Sequence, residues 1–195
     1  MHEALRRNAN RAGFKEEDGS LVVIGCGAED VDGILRCLED VDAKKGVGQA
    51  TGMEGETSDS KNLRVRHTSQ QSTGTAAGPP VDTLVSILTF CTIPSPQTTL
   101  SQLVGHLLKQ GGQLLYYEHT LHPTRRDVAR WQRFWAPIWA CFFDGCRMDR
   151  ESDVWIRELK DEEGESIWNE SRVWSKPGEE EENLFRHSVG RYVRK

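Results

Sequence analysis

A near-continuous apolar run begins at Val81. Val-Asp-Thr-Leu-Val-Ser-Ile-Leu-Thr-Phe-Cys-Thr-Ile-Pro-Ser-Pro reads as a buried strand feeding a Pro-marked helix start. Thr98 to Lys109 carries the helix, the Gly111-Gly112 pair supplies its stop, and Gln-Leu-Leu-Tyr-Tyr-Glu-His follows as a second strand. Together they make one βαβ unit from Val81 to His119. Ligands in open parallel sheets sit beyond the carboxyl ends of such strands, which draws attention to Ser86 to Cys91 and to Glu118-His119.

Upstream, residues 3 to 12 predict a helix stopped by Gly13, and Ser20 to Cys26 a short buried strand between Asp18-Gly19 and Gly25-Gly27. Glu29 to Leu38 places Val31, Ile34, Leu35 and Leu38 at helical spacing with acids in the first turn. From Val41 to Pro80 the apolar period is lost, and Gly, Ser, Thr, Gln and Lys dominate. Such a composition buries too little surface to offset its ordering entropy, so a disordered insertion is expected over 41–80.

Downstream, Arg125 to Phe143 is dense in aromatics. Trp131, Trp135, Trp139 and Phe143 recur every four residues beside a row of Phe134, Ile138 and Phe142, which predicts a helix that is deeply buried or walls an apolar pocket. Pro137 should kink or split it. Arg150 to Glu162 predicts a further helix. Ile167 to Trp174 and Leu184 to Val193 alternate as a closing antiparallel pair around the acidic loop 177–183. The element order gives an α/β fold, with a mostly parallel sheet and an antiparallel last strand.

The 195 residues suit one domain, and the net charge of -5 with scattered basic residues argues against a nucleic-acid binder. No window of about eighteen apolar residues exists, so no membrane span is expected, and the amphipathic start Met-His-Glu-Ala-Leu-Arg-Arg-Asn is no secretory signal. Cys26, Cys37, Cys91, Cys141 and Cys146 form no Cys-x-x-Cys pair and no ligand set with nearby histidines, so no metal is expected. Reduced thiols in a cytoplasmic protein follow from that reading.

Val-Val-Ile-Gly-Cys-Gly-Ala-Glu-Asp is the one motif with the outline of a nucleotide site, a strand running into Gly-x-Gly. Its third glycine is missing. Gly25 and Gly27 could equally turn the chain from strand to helix, and a nicotinamide-dependent oxidoreductase is the weakest functional reading they allow.

Four segments together resemble class I S-adenosylmethionine-dependent methyltransferases of the methyltransferase-type-11 group, related to the animal thiol methyltransferases. They are Cys-Gly-Ala-Glu-Asp, the Val81 strand through Ile93-Pro94, Lys-Gln-Gly-Gly-Gln-Leu-Leu-Tyr-Tyr-Glu-His, and Phe-Asp-Gly-Cys-Arg-Met-Asp-Arg-Glu-Ser. The resemblance implies a Rossmann-like sheet whose fourth and fifth strands are the βαβ pair, with the first two strands lying upstream of Met1. It divides the chain into residues 1–40 and 81–195 as two parts of one methyltransferase domain around the insertion.

By the same resemblance, Gly27, Ala28, Glu29 and Asp30 border the adenine of S-adenosylmethionine, and Ser86, Ile87 and Leu88 border its methionine part. Glu118 and His119 stand on the substrate side as candidate catalytic groups, and Trp131, Trp135 and Trp139 as pocket wall. Plain alternatives stay open for each: Glu29 and Asp30 as acids at a helix N-terminus, the tryptophans as core, His119 as a solvated strand end, Cys91 and Cys146 as small buried apolar groups. The function implied is methyl transfer to a small, apolar or thiol acceptor. The alternative is a truncated, non-catalytic remnant with a binding or partner role, in which a partner chain or self-association covers the missing half of the sheet.

Overall fold

The computed structural model describes residues 2–17, 20–47 and 80–195. These divide into two compact units, residues 2–17, 20–25 and 35–47 in one, and residues 26–34 and 80–195 in the other.

In the first unit, α1 spans His2–Arg11, as the pattern predicted, and an Arg6–Glu16 ion pair at 2.7 Å joins it to the following turn. Residues 20–26 form no strand, which corrects the expectation there. Helix α2 spans Val31–Val47, two residues later at its start and nine later at its end than the pattern suggested. The rest of the expected insertion, residues 48–79, lies outside the described residues.

The second unit is built on a four-stranded sheet in the order β1-β2-β4-β3, with β1 Val81–Ile87, β2 Leu108–His119, β3 Trp168–Ser175 and β4 His187–Arg194. β1 and β2 pair in parallel, while β4 lies antiparallel to both β2 and β3. Three strands therefore point one way and the last one the other, the α/β arrangement that the sequence predicted and one consistent with a Rossmann-like fold.

Between β1 and β2 the chain forms α3, Pro96–Gln102, with Pro96 at its start, and then a π-helical turn, Leu103–Leu107. The Arg194 guanidinium reaches across from β4 to donate to the carbonyls of Val104 at 2.9 Å, Gly105 at 3.3 Å and Leu108, so the orphaned carbonyls at this helix end are satisfied. The glycine pair is not the helix stop. The strand has already begun at Leu108, and Gly111-Gly112 sits in a bulge: Val81 pairs with Leu108, but Thr83 pairs with Gln113. Gly111 takes φ +73 there, and a Cβ on Gly112 would come within 3.0 Å of the Asp82 carbonyl oxygen.

The core lies on one face of the sheet. Leu114, Tyr116 and Glu118 of β2 and Ser188, Gly190 and Tyr192 of β4 turn inward at alternate positions, with Leu100, Leu103, Val104 and Ile156 buried alongside. Trp168 closes this layer, its indole donating to the Ile156 carbonyl at 2.6 Å and its ring 5.0 Å from that of Tyr192. β1 is less buried than its apolar run implied: it is an edge strand among the described residues, and Val85 and Ile87 are exposed.

Helix α4, Arg126–Phe142, runs unbroken through Pro137, so the expected split does not occur. Its orientation overturns one of the two expectations, that the aromatic face is deeply buried. Val128, Ala129, Gln132 and Ala136 face inward, while Trp131, Phe134, Trp135, Ile138 and Phe142 are exposed. Helix α5 is shorter than predicted, Ser152–Arg157, because the chain leaves it for turns joined by a Lys160–Ser166 bridge.

Candidate ligand site at the strand ends

Glu118, fully buried on β2, is the centre of the carboxyl-terminal edge of the parallel pair. Its Oε1 accepts hydrogen bonds from the Ser86 hydroxyl at 2.7 Å and the Thr89 amide at 2.8 Å, and its Oε2 from the Cys91 amide at 3.2 Å. One side chain thus fixes the last turn of β1 and the loop that follows. Burial raises its carboxyl above the ordinary range, and the hydrogen bonds from Ser86, Thr89, Phe90 and Cys91 oppose that rise.

Within that loop Leu88 adopts φ +51, a left-handed conformation unusual for a bulky residue, while its amide still donates to the Tyr117 carbonyl at 2.8 Å. Ile87 is 64% and Leu88 38% exposed, so two large apolar side chains are presented at the strand end. Arg150 braces the far side of the loop through the carbonyls of Phe90 at 2.5 Å and Ile93 at 2.8 Å.

His119 lies beside this network, half-buried. Its Nδ1 sits 3.3 Å from the Cys146 sulfur, and the Cys146 thiol donates to Cys91 Sγ at 3.5 Å. Burial, then the neighbouring His187, lowers the His119 imidazole to about 4, and burial pushes the Cys91 thiol up to about 12. The sequence reading kept these cysteines and this histidine apart; the fold brings all three together, and His119 is not a solvated strand end. Spacings of 28 and 27 residues lie outside any local ligand motif, so only the tertiary arrangement reveals the cluster.

The other predicted residues stand as follows. Asp30 precedes α2 and accepts the Gly33 amide at 3.0 Å, the bond of a helix N-cap. The Glu29 carboxylate folds against Gly27, whose backbone carbonyl accepts the Asp30 amide at 3.1 Å. Ala28 lies in the same turn. Trp131 and Trp135 are exposed on α4, and Trp139 is stacked on Phe143 with ring centroids 3.5 Å apart. None of the three lines the cavity of about 630 Å³ formed by residues that include Leu121, His122, Arg126, Arg130, Asp153 and Arg157.

Gln132 was missed by sequence reasoning. Fully buried, it accepts the His122 amide at 2.8 Å and donates to the carbonyls of Thr120 at 3.1 Å, Met148 at 3.3 Å and Leu184 at 2.9 Å. It ties α4 to the segment leaving β2 and to the approach to β4. A glutamine among arginines on a helix carries no sequence signal for such a role.

No family model matches the chain. Among curated proteins, the thiol S-methyltransferase TMT1B of Rattus norvegicus is 33% identical over 88 residues, covering 45% of this chain and 36% of the relative. The Homo sapiens TMT1B and TMT1A proteins are 33% and 32% identical, each over 37% of this chain and 29% of the relative. The chain therefore spans about a third of the length of the curated relatives it matches.

Two solved structures resemble it loosely. A Thermotoga maritima SAM-dependent methyltransferase has a TM-score of 0.38 at 16% identity, over 58% of this chain and 56% of that one. A Bacillus halodurans protein assigned as a methyltransferase has a TM-score of 0.37 at 12% identity, over 80% of this chain and 76% of that one. The sequence matches bear out the resemblance carried by the motifs: over less than half of its length, this chain is similar to class I S-adenosylmethionine-dependent methyltransferases.

Proposed function

We propose that this chain serves S-adenosylmethionine-dependent methyl transfer to a small acceptor, with a thiol as the favoured acceptor class. The observation that carries the reading is the strand-end cradle. Glu118 accepts hydrogen bonds from Ser86, Thr89 and Cys91, and the loop so fixed holds Leu88 in a left-handed conformation with Ile87 and Leu88 outward. A backbone strained in this way persists where its surroundings over-determine it, as they do at ligand sites.

The residues present fit one flank of the cofactor. Ile87 and Leu88 offer apolar surface beside the methionine part, with Ser86 behind them held by Glu118. Gly27, Ala28, Glu29 and Asp30 would border the adenine. When bound, the cofactor supplies a methyl group on a sulfonium centre, already activated for transfer. The protein's work is then to align the acceptor and exclude water. Glu118 is a positioning residue here, because its hydrogen bonds go to Ser86 at the end of β1 and to the loop that follows. Trp131, Trp135 and Trp139 provide apolar surface for an acceptor on α4. The thiol class rests on the names of the curated relatives.

Calorimetric titration of the full chain with S-adenosylhomocysteine tests this directly. Binding should raise the melting temperature, since a ligand at a hundredfold its Kd adds about 2.7 kcal/mol of stability. The absence of both heat and a thermal shift at millimolar ligand would overturn the proposal. Methylation of a small alkyl thiol, followed by mass spectrometry, then tests the acceptor class.

A further inference from the structure

We propose that Cys91, His119 and Cys146 form a binding site for a soft divalent cation, zinc foremost. The three residues come from three elements: the loop after β1, the end of β2 and the turn after α4. Their ligating atoms lie within 4.8 Å of one another.

The spacing suits tetrahedral zinc. Bonds of about 2.3 Å to sulfur and about 2.05 Å to nitrogen give tetrahedral edges of about 3.8 Å between sulfurs and about 3.5 Å from sulfur to nitrogen. The observed edges are 3.5 Å for Cys91–Cys146 and 3.3 Å for His119–Cys146, so ligation asks these two for an expansion of a few tenths of an ångström, while the Cys91–His119 edge lies within 4.8 Å. Two thiolates with one imidazole favour zinc over magnesium or calcium, which prefer oxygen.

The backbone around Cys91 is held from two sides. Glu118 holds the Cys91 amide, and the Arg147 amide donates to the Cys91 carbonyl at 2.8 Å, linking the two cysteine-bearing segments through the backbone. His119 is flanked by the rings of His187 at 4.6 Å and Phe185 at 6.2 Å. Such outer contacts fix ligand orientation.

Among the described residues the cluster has three members, which leaves one position of a tetrahedron for an exogenous group, the pattern of catalytic zinc sites. A second step, which rests on the function proposed above, follows. The acceptor's thiol would lose its proton to solvent and bind the cation as thiolate in place of water, close to the strand ends where the cofactor's methionine part is expected.

The experiment is elemental analysis of the full chain, produced with zinc and purified without chelator. About one zinc per chain is expected. Cys91→Ser and Cys146→Ser should each lower zinc affinity at least about tenfold, while Cys37→Ser and Cys141→Ser keep the wild-type content. Cobalt(II) replacement in the wild-type chain should give thiolate-to-metal charge-transfer bands, a readout that does not depend on any variant folding. Three results would overturn the site: zinc below stoichiometry in the wild type, zinc unchanged in Cys91→Ser, or a thiol count showing a Cys91–Cys146 disulfide. Adding a small alkyl thiol should shift the cobalt bands, and an unchanged spectrum would remove the acceptor step alone. Metal content is read without S-adenosylhomocysteine, so failure of the site and failure of the methyltransferase reading give different results.

Discussion

The ring of Tyr116 on β2 lies so close to Gly190, its register partner on β4, that a Cβ there would come within 2.7 Å of the ring carbon bearing the hydroxyl. The phenol hydroxyl goes on to meet the Ser188 hydroxyl at 3.1 Å. A glycine in mid-strand ordinarily weakens a sheet; here its missing side chain is the space the tyrosine fills. Gly190→Ala should therefore cost about 1–3 kcal/mol in urea unfolding. In a double-mutant cycle the penalty should shrink in a Tyr116→Ala background, because the obstructing ring is gone. Additive effects would show that the ring does not set the requirement.

Gln132 and its neighbours on α4 offer a contrast within one helix. Gln132→Ala strands a buried amide and three carbonyls and should destabilise by about 2–4 kcal/mol. Phe142→Ser, at the 78% exposed position, should stay within about 0.5 kcal/mol of wild type. Paired chemical melts of the two variants give the comparison. Equal losses would contradict the inward and outward faces described above.

Glu118→Gln keeps the size of the side chain but replaces one acceptor oxygen by a donor. Whichever way the amide turns, it faces at least one of the three donors from Ser86, Thr89 and Cys91. A stability loss of about 1–3 kcal/mol is expected. The same substitution should weaken S-adenosylhomocysteine binding about tenfold, equivalent to about 1.4 kcal/mol. An unchanged affinity in a measurably destabilised protein would mean that the loop is not part of the ligand site.

His122 sets a pH dependence. Its Nδ1 accepts the Arg125 amide at 2.9 Å, a role open only to the neutral ring, and burial, then Arg186 and Arg125, lowers its basicity below the ordinary 6.5. A group whose folded value is depressed binds fewer protons in the folded state, so its contribution is complete above 6.5 and is lost as pH falls through the lower folded value. Melting temperatures should drop on acidification below 6.5, and His122→Gln should flatten that part of the profile. The imidazole proton signal followed by NMR should titrate below 6.5; a midpoint above it would refute the assignment.

The βαβ pair, the closing antiparallel strands and the extent of α4 were legible because their apolar periods are long and consistent. Three features were not. Gly111-Gly112 has the chemistry of a helix stop, but the parallel register of β1 and β2 needed extra chain, and the pair was used for a bulge. Residues 20–26 are apolar enough for a strand, yet burial depends on a neighbouring strand that a local pattern does not encode. On α4 the aromatic rows outweighed Gln132 in any hydrophobic count, while hydrogen bonding to four backbone groups decided which face turned inward. The strand ends carrying Ser86 and Glu118 followed from the apolar pattern alone; the convergence of Cys91, His119 and Cys146 depended on the path of the chain after α4.

The insertion of β4 between β2 and β3 has a consequence for synthesis. Every strand emerges from the ribosome in order, but the one that completes both inner ladders comes after all the others. Until His187–Arg194 is made, β2 has β1 as its one strand partner among the described residues and β3 has none among them, and the carbonyls that Arg194 serves wait with them. A nascent chain arrested before residue 187 should remain open to protease, and emergence of residues 187–194 should convert it to resistance in a single step.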